Sequence, residues 1–87
     1  MSTLGGWSVF KSLTQEDKEV FDKAMNGIVG VKYEPLLVST QVVAGENFKY
    51  LCNATVVTKD PITSHKMVQI FRSLENEISV TSITDVP

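Results

Sequence analysis

Hydrophobic and polar positions along the chain follow two periods, and the change from one to the other falls near Gly30. Leu13, Val20, Phe21, Ala24, Met25 and Ile28 recur at helical spacing, while Glu16, Lys18, Glu19, Asp22 and Lys23 occupy the other side, as in an amphipathic helix buried on one face. Ser12 and Thr14 are both suitable N-caps, with Gln15 and Asp17 three residues beyond each, and Glu16 and Asp17 suit the positive end of the helix dipole. Gly27 and Gly30 are stop signals, so the spacing predicts a helix over about residues 13–29, ending between those glycines.

Beyond Gly30 the pattern alternates. Residues 31–43 are rich in β-branched and aromatic side chains, with Pro35 tolerated at an edge or a bulge. A turn at Gly45-Glu46-Asn47 leads into residues 47–58, where Phe48, Tyr50, Cys52, Ala54 and Val56 share one face and Lys49, Asn53 and Thr55 the other. That apolar face is expected to lie on the helix and bury Cys52. Residues 58–65, with Asp60-Pro61, read as a turn; residues 66–74 and 78–84 read as strands separated by a turn at Glu75-Asn76-Glu77. In residues 66–74 the inward face is open between Val68, Ile70 and Leu74 on one side and Met67 and Phe71 on the other. Short links imply antiparallel neighbours, so the expected fold is α+β: an antiparallel sheet of four to five strands wrapped around one helix, the fifth a short strand near residues 8–11. Residues 1–9, with Gly5-Gly6 followed by Trp7, are expected to form a flexible leader with one bulky anchor, Trp7 being expected to plug the open end of the sheet.

Composition narrows the classes of function. The 87 residues suit one small domain with a modest core, over residues 1–87. Eight Lys and Arg, scattered singly against ten Asp and Glu, make neither the basic stripe of a nucleic-acid protein nor a polybasic membrane patch. No run approaches the roughly 18 apolar residues of a membrane span, and residues 1–10 lack the order of a signal peptide, so the expected compartment is the cytoplasm, a processed secreted chain being the alternative. A single Cys and a single His leave no internal disulfide and too few ligands for a closed zinc site; no metal or other cofactor is expected. Cys52 on an apolar strand face reads as a small hydrophobe, and the acidic residues have no spacing that makes an acid–base pair, so an enzyme is the least expected class. Asn53-Ala54-Thr55 matches a glycosylation acceptor but lies in mid-strand.

Against this background the stretch Gln41-Val42-Val43-Ala44-Gly45 stands out, because a solvent-facing turn is ordinarily polar. It resembles the QxVxG signature of the cystatins, inhibitors of papain-like cysteine proteases. Asn47-Phe48 after it, Leu4-Gly5-Gly6 near the start, and residues 66–74 as a late strand resemble that family in order and spacing, over nearly the whole chain. The absence of a Trp in the 58–65 turn, and of disulfides, is similar to the stefin type. The resemblance implies a reversible, competitive inhibitor that fills the protease cleft with a wedge of three parts. Those are the leader (Leu4, Gly5, Gly6), the first hairpin (Gln41, Val42, Val43, Ala44, Gly45) and a second hairpin, for which Pro61, Ile62 and His65 are the candidates in that order. It further implies that Val43→Asp or Gly45→Trp abolishes inhibition with the fold intact. The implied partners are cathepsin-type proteases, with no nucleic acid and no membrane, and the active form is a monomer. The alternatives are a cystatin-like binding or structural module that blocks no protease, and an inactive domain-swapped dimer in which the first hairpin opens as a hinge.

Overall fold

A computed structural model of the chain describes residues 5–87. Its elements are α1 (Gln15–Met25), β1 (Val31–Val43), β2 (Gly45–Val56), β3 (Thr63–Arg72) and β4 (Ile78–Asp85). The four strands form one antiparallel sheet in the order β1-β2-β3-β4, so among the described residues the fold is α+β, one helix with a four-stranded meander.

Thr14 is the N-cap of α1. Its hydroxyl accepts from the Asp17 amide at 3.2 Å while the Asp17 carboxylate accepts from the Thr14 amide at 2.9 Å, a reciprocal box that satisfies two orphan donors. The helix ends at Met25, four residues before the expected end. Asn26 already has extended ψ and Gly27 sits at φ 90°, which turns the chain out of the helix although Ile28 continues the apolar spacing.

Cross-strand rows place Val38, Tyr50, Val68 and Ile83 on one face, with Thr40, Phe48, Ile70 and Val80 beside them. Val20 and Phe21 of α1 pack against that face, and with Val38, Phe48, Tyr50, Cys52, Val68 and Ile70 they form the buried core. The open question in β3 is thereby decided: Val68 and Ile70 face the helix, Met67 and Phe71 lie on the other face, and Leu74 falls beyond the strand, exposed. The Phe21 and Tyr50 rings meet edge to face at 4.9 Å, and the Tyr50 hydroxyl donates to the Asp17 carbonyl at 2.8 Å, tying the middle of the sheet to the first turn of the helix. Pro35 lies at the register shift in β1, where one residue is left over in the pairing, and a second shift in β4 lets the Thr81 hydroxyl bond the Gln69 carbonyl.

The N-terminal segment departs from the expected flexible leader. From Gly5 on, it lies antiparallel along the free edge of β1: the Ser8 amide donates to the Thr40 carbonyl at 2.8 Å, and Lys11 and Val38 exchange bonds of 3.0 and 2.9 Å. Edge carbonyls and amides of β1 would otherwise be unpaired, which is why the segment docks. The contact consists of two isolated bridges, Trp7 with Gln41 and Lys11 with Val38, and not of a continuous fifth strand. Leu4 lies outside the described residues. No helix among them is long and apolar enough to cross a membrane.

Candidate functional site

Each reversal in an antiparallel meander carries the chain to the opposite end of the sheet. The β1–β2 turn and the β3–β4 turn therefore share one end, while the β2–β3 loop shares the other with the link between α1 and β1, as the bond from the Val57 amide to the Gly30 carbonyl, 2.9 Å, records. The first end also receives the N-terminal segment, because the Gly5 amide donates to the Val42 carbonyl at 3.2 Å. Three pieces distant in sequence thus meet: residues 5–6, residues 41–45 and residues 73–77.

Pairing in the first hairpin continues to Val43 opposite Gly45, leaving Ala44 alone at the tip. Val42 is 52% exposed, Ala44 is exposed and Val43 is half-buried. Gly45 is at φ 110°, and a Cβ there would collide with the Arg72 carbonyl oxygen and meet the Phe71 ring at 3.0 Å. The expectation that Gly45→Trp leaves the fold intact is therefore corrected: the position requires glycine both for its dihedral and for the approach of β3.

The β3–β4 turn is equally constrained. The Asn76 amide donates to the Ser73 carbonyl at 2.9 Å, the Ser73 amide to the Glu77 carbonyl at 2.8 Å, and the Glu77 amide to the Ser73 hydroxyl at 3.0 Å, with Asn76 at φ 66°, a conformation that Asn tolerates well. These bonds hold Leu74 outward, 78% exposed. Between the two turns lies a crevice of about 260 Å³ lined by Gly45, Glu46, Arg72, Ser73, Leu74 and Asn76. Arg72 braces it from beneath, pairing with Glu46 at 2.8 Å and with Glu16 at the start of α1 at 3.4 Å, its guanidinium 5.3 Å from the Phe48 ring.

Side chains join the N-terminal segment to this end. Gln41 Nε2 donates to the Gly5 carbonyl, and Asn47 Nδ2 donates to Gln41 Oε1 at 2.9 Å. Lys49 Nζ stands 4.0 Å from the centre of the Trp7 ring, so Trp7 lies over β2 on the sheet face away from the helix and not across the open end of the sheet.

Of the residues singled out in the sequence, Gly5, Gly6, Gln41, Val42, Val43, Ala44 and Gly45 come together. Pro61, Ile62 and His65 do not. Gly45 to Val56 spans the sheet, so the β2–β3 loop is roughly 35 Å from the first hairpin at about 3.3 Å per residue. Pro61 and Ile62 are exposed in that loop, whereas His65 is a strand residue opposite Asn53, its carbonyl accepting from the Val86 amide. The loop is the second in the chain but not the second at this end. Ser73, Leu74 and Asn76 occupy the place expected of it, and counting reversals of direction along the strands would have found them.

Among the described residues no three His, Cys, Asp or Glu side chains gather to hold a metal. Cys52 is buried at the centre of the sheet, and burial pushes its thiol up to about 12, the reverse of what a nucleophile requires. What the arrangement offers is a narrow edge with apolar side chains on rigid turns, a form suited to entering a concave surface. No family model, curated protein or solved structure matches this chain.

Proposed function

We propose that the chain is a reversible inhibitor of papain-like cysteine proteases that blocks the active-site cleft with one end of its sheet. The supporting observation is the meeting, at that end, of the Gly5-Gly6 segment, the Gln41-Val42-Val43-Ala44-Gly45 hairpin and the turn at residues 73–77, with Val42 and Leu74 exposed on constrained backbone. The QxVxG resemblance supplies the target class, and the end-sharing turn replaces Pro61, Ile62 and His65 as the second hairpin of the wedge.

Binding energy comes from desolvating Val42, Ala44 and Leu74 in a preformed cleft. Because both turns are already fixed by backbone bonds, little conformational freedom is lost on docking. The same rigidity accounts for inhibition without cleavage. A substrate lies extended across a protease nucleophile, whereas here pairing up to Val43 and Gly45 leaves no extended stretch free to do so.

The deciding experiment is a titration of active-site-counted papain, followed by hydrolysis of a fluorogenic peptide. The expected result is a stoichiometric loss of activity that reverses on dilution. Full papain activity in the presence of a large excess of verified monomer overturns the reading.

A further inference from the structure

We propose that Asn47, acting through Gln41, positions the leader beside the first hairpin, an inference that rests on the protease-blocking reading above. The polarity of the bonds carries it. The Gly5 carbonyl only accepts, so it takes the amide nitrogen of Gln41; the Gln41 oxygen then faces Asn47, which must present its own nitrogen. Gln41 and Asn47 are direct partners in the β1–β2 register, and Trp7 bridges to Gln41 from the other side, so the three lie in one row across the sheet face away from the helix. A backbone bond such as Gly5 to Val42 is open to any sequence; the side-chain chain of Asn47, Gln41 and Gly5 is particular to this one. Its effect is to hold the segment leading into the wedge at a set distance from Val42, so that the leader and the hairpin present themselves together.

Reversing the polarity tests this with almost no change of shape. An Asp at position 47 can only accept; Gln41 then turns its nitrogen to it and presents an oxygen to the Gly5 oxygen, which drives the leader off. Trp7 is the only tryptophan and reports the docking without any protease. In Asn47→Asp and Gln41→Ala, acrylamide quenching of Trp7 is expected to rise, and papain inhibition to weaken about threefold to tenfold, the worth of one such hydrogen bond. In a chain lacking residues 1–6, Asn47→Asp is expected to cost nothing further, because the group it holds through Gln41 is gone. A thermal midpoint on each sample separates loss of docking from loss of fold. Unchanged Trp7 quenching in both variants overturns the clamp, and a penalty that persists in the shortened chain overturns its positioning role. If the parent chain leaves papain active, the protease reading falls and the positioning role with it, while Trp7 still decides whether the clamp exists.

Discussion

Leu74 and Ile62 make the comparison that matters at the scale of single residues. Both are exposed aliphatic side chains in connections between strands, 78% and 69% respectively, although the sequence pattern places Leu74 at the end of a strand and only Ile62 in a turn. They differ in which end of the sheet they occupy. Leu74→Asp is expected to weaken papain inhibition about 10- to 100-fold, as truncation of a central interface anchor does, while Ile62→Asp leaves the inhibition constant unchanged. Equal effects, or the reverse order, in a papain titration of the two variants would return the wedge to the loop containing Pro61. Other residues were legible before the fold was known. Thr14 as one of two possible caps and Cys52 as a buried hydrophobe follow from local chemistry and period-two alternation, which need only a few neighbouring residues. The bond from Gln41 to Gly5 was not legible, because the two are brought together only by docking along β1.

At the scale of elements, the strands follow their patterns closely while the ends of the helix and the leader do not. β1 and β4 match the alternation, and β2 begins two residues earlier than residue 47 because Gly45 already pairs with Val43. β3 is displaced toward Thr63 because Thr55 and Thr63 pair and their hydroxyls meet at 2.9 Å, extending the ladder into what reads as a turn. The first hairpin depends on Gly45 more than on any apolar residue in it. Gly45→Ala, which places a methyl group against the Arg72 carbonyl at φ 110°, is expected to cost about 1–3 kcal/mol and to lower the melting temperature by several degrees. Differential scanning calorimetry beside Gly27→Ala supplies the control, since Gly27 also has positive φ, 90°, but a Cβ there meets nothing within 4 Å. A larger loss at Gly27 would show that dihedral strain alone, and not the approach of β3, governs the hairpin.

At the scale of the whole molecule, the core that sheet and helix build around β2 carries a pH dependence. Cys52 and Tyr50 are held protonated at the centre of the sheet. Desolvation pushes the thiol from its ordinary 9.0 to about 12, and raises the phenol further with the help of the nearby Asp17 charge. Unfolding returns both to ordinary values, so their contribution to stability is complete below about pH 9 and is lost as pH rises toward 12, at about 1.4 kcal/mol per pH unit for each group once its unfolded form ionises. Urea unfolding at pH 7, 9 and 10.5 is expected to show this decline. Cys52→Ala, less stable at neutral pH, should flatten it near pH 9–10; a slope unchanged by that substitution would assign the decline to other groups. Periodicity, caps and turn residues, read from the sequence by itself, determined one helix, four strands, their antiparallel order and the buried face of β2, since each of these is set by interactions within or between neighbouring segments. Tertiary structure alone decided that the N-terminal segment docks on β1, that Gln41 reaches Gly5, and that Leu74 leaves the strand and stands exposed in the turn. The reason is physical: the face an alternating pattern buries and the end a turn reaches follow from local periods and a count of reversals, whereas edge docking joins segments far apart in the chain through backbone bonds that leave no mark in the sequence.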